Sequence, residues 1–236
     1  MNKDRILFVT FTNSGYINFT QNLIQSTIDN NVDINLKVFT IDKPSYDYFI
    51  KSHNNVEMYE QSTFSEELLE QKADNFGNLM MVKFDIIYKS LLKHKYVGYI
   101  DGDIVIKKNI DDYILKKLIG NDIVFQNDKR PSKPNLVNVC AGFMIINSNK
   151  KTKKFFQPTK SLESKFVKYT THDQTHINKN RNKFKHEILP LNDFPNGPHF
   201  YKNHKELNPY MIHFNFLLGE KKEDYMKKYK EWYLKY

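Results

Sequence analysis

The chain has 236 residues, of which 40% are hydrophobic and 27% are charged, as in an ordinary globular protein. Its single cysteine excludes an internal disulfide, and it has no apolar run of the roughly 20 residues that span a bilayer. The net charge of +9 favours an anionic partner such as nucleic acid, a membrane surface or a phosphorylated small molecule, without choosing among them. We expect one domain, 1–236, in a soluble cytoplasmic protein.

The first half of the chain alternates strand and helix patterns. Apolar, β-branched runs predict strands at 6–12, 36–41, 56–59 and 96–100. Apolar residues at helical spacing predict helices at 16–29, 46–50 and 76–92. Alternation of this kind favours an α/β fold with a mostly parallel central sheet flanked by helices.

The second half is less regular. It predicts strands at 123–126, 140–147 and 210–216, helices beginning near 151 and 171, and a loop at 190–199. Residues 220–236 have the pattern of a basic helix with one aromatic face, and this helix is a candidate for peripheral contact with a membrane.

Asp101-Gly102-Asp103 closes the predicted strand at 96–100. Two carboxylates this close repel each other unless a cation or strong donors lie between them. Side chains two apart on a strand share a face, so both carboxylates can bind one ion, and oxygen ligands favour Mg²⁺ or Mn²⁺ together with substrate phosphates. Asp-Gly is also ordinary turn chemistry, so the spacing alone leaves a turn and a metal site equally open.

Other polar residues follow neighbouring strands, whose carboxyl ends form the binding edge of a parallel sheet. Asp42 and residues 12–15 are predicted at this edge, beside the aspartate pair. Lys83 falls on or beside the apolar stripe of its helix, so its ammonium should reach a carboxylate or a ligand phosphate, unless it extends to the surface.

The chemistry-bearing residues of the second half are more scattered. An imidazole such as that of His213 can complete a metal shell begun by two carboxylates, although a lone histidine on a strand is more often structural. Gly219 lets backbone N–H groups approach a phosphate, and a following lysine neutralises it. Asp173 is a candidate for a base or for a contact with a substrate hydroxyl.

Taken in order, these segments resemble the nucleotide-diphospho-sugar transferases, which are glycosyltransferases of the GT-A fold. The resemblance covers nearly the whole chain, at 10–16, the helix carrying Lys83, 99–105, 140–147, 173–174 with Asn178, 189–197, 213–215, Gly219, Lys222 and Trp232. It implies transfer of a sugar from a nucleotide-diphosphate sugar, a UDP-sugar by expectation, to a hydroxyl of a glycan or glycoprotein. A nucleotide-binding half, 1–106, and an acceptor half, 107–236, are implied with it.

The resemblance also implies a role for each matching residue. Asp101 and Asp103, with His213, would hold Mn²⁺ or Mg²⁺ against the donor diphosphate. The remaining residues would contact the phosphates (Gly219 and Lys222), the base and ribose (Thr10, Thr12 and Asp42), and the donor sugar and acceptor (Lys83, Gly142, Asp173 and Gln174). Asp173 is the candidate base of an inverting enzyme, and in a retaining one Gln174 or the leaving phosphate itself is the candidate on the opposite sugar face.

Two alternatives come from other functional classes. Asp-X-Asp after an apolar strand also describes the haloacid-dehalogenase-like phosphohydrolases, although their motif normally lies on the first strand. A nonenzymatic module that binds nucleic acid or membrane would use the net positive charge. A compact viral or microbial transferase fits the composition better. We expect it in the cytoplasm, which would be that of the host if the protein is viral, and we expect no nucleic-acid partner.

Overall fold

The computed structural model describes residues 5–59, 76–129, 135–168 and 172–235. The strands are β1 (Leu7–Thr12), β2 (Leu36–Thr40), β3 (Val56–Met58), β4 (Tyr96–Ile100), β5 (Ile104–Ile106), β6 (Ile123–Asn127), β7 (Val139–Asn147), β8 (His186–Leu189) and β9 (Met211–His213). The helices are α1 (Ile17–Asp29), α2 (Lys43–Phe49), α3 (Phe76–Lys93), α4 (Asp111–Leu118), α5 (Lys150–Phe156), α6 (Lys160–Glu163), α7 (Asp173–Asn180), α8 (Gly197–Asn203) and α9 (Glu220–Lys228). The strands and helices predicted for the first half are confirmed.

Among the described residues, one sheet has the strand order β3-β2-β1-β4-β7-β6-β8, and β5 pairs with β9 in a second, two-stranded sheet. The pairs β1–β2, β1–β4, β2–β3 and β6–β8 are parallel, and only β7 runs antiparallel to its neighbours β4 and β6. The predicted mostly parallel α/β sheet is therefore confirmed. The reversal of β7 brings its first residues beside the carboxyl end of β4, where the Asp101 N–H donates to the Gly142 carbonyl at 2.8 Å.

Apolar side chains cover both faces of the large sheet. On one face α3 contributes Phe84 and Ile87, which are fully buried, and on the other face Leu23 of α1 packs in one cluster with Phe8 and Phe143. A sheet that is covered on both faces leaves its strand ends as the place where polar groups can meet a ligand.

The prediction of a continuous helix over 220–236 is wrong, because α9 ends at Lys228. Lys230 has a φ of 60°, and the Glu231 N–H donates to the Met226 carbonyl at 2.8 Å, which closes the helix end as in a Schellman motif. The Glu231 carboxylate then accepts from Lys107 at 2.9 Å and ties the following segment to the region after β5.

Two other predictions in the second half need correction. The predicted loop at 190–199 contains the start of α8, because Asn196 caps that helix by accepting from the His199 N–H at 3.1 Å. The predicted strand at 210–216 is shorter and stops at His213. None of the helices in the described part of the chain has the length and apolar character needed to cross a membrane.

Candidate active site

Three side chains meet where β4 ends and the small sheet begins. Asp101 follows β4 directly, Asp103 precedes β5, and the antiparallel pairing of Ile104 with His213 places the end of β9 beside both aspartates. The Phe214 N–H donates to the Asp103 carbonyl at 3.1 Å, so the backbone pairing extends to Asp103 itself. One side-chain ligand atom from each of Asp101, Asp103 and His213 lies within 4.8 Å of the other two.

This donor set fits a divalent cation. Carboxylate oxygens suit Mg²⁺ and Mn²⁺, and an imidazole nitrogen completes a mixed shell. Asp103 is only 4% exposed, and its Oδ1 lies 3.2 Å from His213 Nε2 but accepts no hydrogen bond. Because an unsatisfied buried carboxylate oxygen is costly, this atom is the part of the site that most needs a cation.

Gly142 keeps space beside these ligands. A Cβ built at this glycine would lie 2.1 Å from Asp101 Oδ2 and 2.5 Å from His213 Cε1. Any side chain here would displace both groups, so the site requires a residue without one.

Lys222 of α9 balances the charge of Asp103. Its Nζ donates to Asp103 Oδ2 at 2.5 Å and to the Tyr16 hydroxyl at 2.9 Å. Burial raises the pKa of the Asp103 carboxyl, but Lys222 and His213 outweigh burial and hold that pKa well below its usual range. Burial and the two neighbouring aspartates raise the pKa of Tyr16, so Tyr16 remains a neutral phenol.

Lys83 lies deeper in the same site and is 3% exposed. Its Nζ lies 2.7 Å from Asp173 Oδ2, 3.8 Å from Asp101 Oδ1 and 4.1 Å from the centroid of the Tyr99 ring. Burial lowers the pKa of Lys83, but the two carboxylates outweigh burial and raise it, so the side chain is charged. The prediction that Lys83 reaches a carboxylate instead of the surface is confirmed.

These side chains surround one cavity of about 580 Å³. Its walls include nine of the residues that the sequence nominated, namely Thr12, Lys83, Asp101, Asp103, Gly142, Asp173, Gln174, His213 and Lys222.

Thr10, Asp42 and Gly219 are not among the residues that line the cavity. Thr10 is fully buried within β1, and Asp42 caps α2 while accepting from the Ser14 N–H at 2.7 Å, so it fixes the loop that follows β1. Gly219 begins α9 with a φ of 53°, a left-handed conformation that favours glycine. Their roles toward a nucleotide or phosphate stay predictions.

A sequence model of the nucleotide-diphospho-sugar transferases matches residues 32–226, which include Asp101, Asp103, His213 and Lys222. The chain belongs to this family. It is therefore a glycosyltransferase, and the resemblance inferred from the order of its motifs is confirmed. Family membership decides against both the phosphohydrolase and the nonenzymatic binding module. No curated protein matches the chain by sequence.

Solved structures share the fold of this transferase. A glycosyltransferase involved in the glycosylation of the major capsid of PBCV-1 has a TM-score of 0.59 and 11% identity, over 95% of this chain and 99% of that chain. The galactosyltransferase LgtC, in complex with donor and acceptor sugar analogues, has a TM-score of 0.59 and 11% identity, over 88% and 86%. GlyE of Streptococcus pneumoniae TIGR4 has a TM-score of 0.58 and 15% identity, over 100% of this chain and 61% of that chain. These similarities establish the GT-A fold.

The transferase orients His213 through Gln126, a residue that the sequence did not single out. Gln126 is fully buried at the end of β6, and its Nε2 donates to the carbonyls of Phe194 at 3.2 Å and Pro195 at 3.0 Å. These bonds direct Oε1 toward His213 Nδ1, which lies 2.8 Å away. Since an amide oxygen only accepts, Nδ1 carries a proton, and Nε2 faces the aspartates.

Replacing Gln126 with leucine is expected to weaken Mn²⁺ binding by about 10- to 100-fold, because the imidazole loses the partner that fixes its tautomer and orientation. A Mn²⁺ titration followed by electron paramagnetic resonance measures this affinity directly. Activity should recover at higher Mn²⁺ concentration. A variant that binds Mn²⁺ as tightly as the wild type would show that Gln126 only supports the backbone.

A second residue that the sequence did not single out, Asp128, contacts Gln174. Gln174 Nε2 donates to Asp128 Oδ2 at 2.8 Å, and Gln174 Oε1 accepts from the Ala141 N–H at 3.3 Å. Asp128 Oδ1 accepts from Asn215 at 3.2 Å, which connects the loop after β6 with the segment after β9. The available signal was a polar Gln126 and Asp128 at the end of the apolar β6, at the same edge as Asp101.

Proposed function

We propose that the protein is a metal-dependent glycosyltransferase that moves a sugar from a UDP-sugar to a hydroxyl of a glycan or glycoprotein acceptor. The convergence of Asp101, Asp103, His213 and Lys222 on one wall of the cavity carries this proposal. Two of these residues come from the proposed nucleotide-binding half, 1–106, and two from the acceptor half, 107–236. We place the enzyme in the cytoplasm.

The donor diphosphate would lie between the aspartate pair and α9. Asp101, Asp103 and His213 would hold Mn²⁺ or Mg²⁺, and the bound ion would neutralise charge on the departing nucleoside diphosphate. Lys222 would turn from Asp103 toward a phosphate oxygen, since its ammonium already lies on the cavity wall. Gly219 would let the first N–H groups of α9 approach the same phosphates.

The acceptor side would be formed by Asp173 and Gln174. Asp173 Oδ2 accepts from Lys83 at 2.7 Å, and its Oδ1 accepts from the Gln174 N–H at 2.7 Å. Because both carboxylate oxygens are engaged, Asp173 is a firmly positioned hydrogen-bond acceptor for a sugar or acceptor hydroxyl. Proton removal by Asp173 would therefore have to compete with its ion pair with Lys83.

A thermal-shift panel of nucleotide sugars, each with and without Mn²⁺, tests the proposal. One UDP-sugar is expected to stabilise the protein by about 2.7 kcal/mol when present at about 100 times its dissociation constant, and only with the metal. For a chain of this size that corresponds to a rise in melting temperature of roughly 5–10 °C. If no nucleotide sugar shifts the melting temperature in either condition, the proposed donor chemistry is wrong.

A further inference from the structure

The positive charge of the chain is concentrated in one segment. Residues 150–185 contain 11 Lys or Arg and two Asp or Glu, so these 36 residues carry the entire net charge of +9, and the other 200 residues hold 25 charges of each sign. The predicted basic helix region, 220–236, has six basic and four acidic residues. The anion-attracting surface therefore lies at 150–185 and not at the C-terminus.

The cations of this segment mostly lack acidic partners. Elsewhere several lysines pair with nearby carboxylates, as in Lys43–Asp47, Lys107–Glu231 and Lys117–Glu187. Among the described residues of the segment, only Lys151 forms such a pair, with Asp122 at 2.7 Å. Apart from Lys151, the described lysines of this segment are therefore available to a partner.

Four of these lysines converge on a cavity of about 330 Å³, which we call the lysine cavity. Lys151 and Lys154 come from α5, Lys165 from the helical turn after α6, and Lys183 from the turn after α7. Thr159 and Ser161 also line it, and no described residue in its lining is acidic. Ammonium and hydroxyl donors around a cavity of this size can recognise a phosphate group.

The aromatic rings near this cavity pack against one another. His176 stacks on Phe155 with ring centroids 5.3 Å apart and meets the edges of Phe84 and Phe166. The large apolar residues that are exposed in the described structure all lie outside 150–185. In the described part of 150–185 no large apolar ring is exposed for stacking nucleic-acid bases, and a discrete cavity accepts one phosphate instead of a continuous backbone.

We propose that the lysine cavity binds the phosphate of an anionic phospholipid headgroup, and that the surrounding lysines hold the enzyme on a negatively charged membrane. The helix α7 contributes Asp173 and Gln174 to the catalytic cavity and His176 and Asn180 to the lysine cavity. A membrane bound at the lysine cavity therefore lies one helix away from the catalytic cavity. This inference does not depend on the identity of the donor or the acceptor.

Vesicle sedimentation at physiological ionic strength tests the proposal. The chain is expected to sediment with phosphatidylcholine vesicles in which roughly a third of the lipid is phosphatidylserine, and not with pure phosphatidylcholine. The Lys165→Glu/Lys183→Glu variant is expected to bind at least about 25-fold more weakly, because each lysine near such a surface contributes about fivefold. The milder Lys165→Gln/Lys183→Gln variant should lose binding in the same direction.

Lys51→Glu/Lys205→Glu is the matched control, because it makes the same change in net charge at exposed lysines outside the segment. It should bind anionic vesicles within about twofold of the wild type. Equal weakening by both glutamate variants would overturn the assigned site, as would a wild type that binds duplex DNA but not the vesicles. Calorimetry with soluble glycerol phosphate distinguishes a lipid headgroup from a free phosphate ester. If the protein binds glycerol phosphate as tightly as it binds the vesicles, membrane docking is overturned in favour of a free phosphate ester.

Discussion

Replacing Asp103 with asparagine is expected to lower sugar transfer by roughly 100- to 1,000-fold and to weaken Mn²⁺ binding. Asparagine keeps the shape of the side chain but removes the charge that Lys222 and His213 both contact. The remaining ligands, Asp101 and His213, would hold a cation with one carboxylate instead of two. Turnover at several Mn²⁺ concentrations, together with a direct Mn²⁺ titration, measures both effects.

Asp224→Asn is the matched control for this change, because Asp224 is exposed on α9, the helix that also carries Lys222. It should leave turnover and Mn²⁺ affinity within about twofold of the wild type, as expected of a surface substitution. Asp103→Asn with wild-type Mn²⁺ dependence would contradict the metal site, whatever its effect on stability.

Replacing Lys83 with methionine is expected to lower the free energy of unfolding by about 3–5 kcal/mol. The substitution removes the buried cation that lies 2.7 Å from Asp173 and 3.8 Å from Asp101, and leaves Asp173 as an uncompensated buried charge. Urea denaturation at neutral pH measures the loss. Lys93→Met, at the exposed end of the same helix, is the control and should change stability by less than about 1 kcal/mol.

A double variant separates charge from packing at this position. Lys83→Met combined with Asp173→Asn is expected to recover about 1–3 kcal/mol relative to Lys83→Met alone, because asparagine carries no charge to leave unpaired. Additive losses in the two substitutions would show that Lys83 and Asp173 are not coupled. Sugar transfer should stay low in both variants, since each changes a wall of the catalytic cavity.

The strands and helices of the first half followed from local pattern. The runs at β1, β2 and β4 are apolar because both faces of the sheet are covered, and such runs are recognisable without tertiary information. The end of α9 was not predictable in the same way. The helix ends where Lys230 adopts a left-handed conformation. The carboxylate of the next residue, Glu231, bonds to Lys107, which lies far away in the sequence.

The site shows the same division. That Asp101, Asp103, His213 and Lys222 lie together was readable from strand position and motif order. Whether each residue lies in the protein interior or on the cavity wall could not be read from the sequence. Thr10 and Thr12 are two apart on β1 and share a face, yet only Thr12 lines the catalytic cavity. The neighbouring strands and helices decide which residue of β1 is the first to reach the cavity.

The sequence by itself determined the fold class and the family, and it nominated nine of the residues that line the catalytic cavity. The fold class follows from hydrophobic periodicity, and the family follows from the order of the motifs along the chain. Only the tertiary structure decided that β7 reverses to place Gly142 against Asp101, that Gln126 orients His213, and that four lysines of 150–185 surround one cavity. Each of these features depends on contacts between residues far apart in sequence, and local sequence patterns do not show which distant residues come into contact.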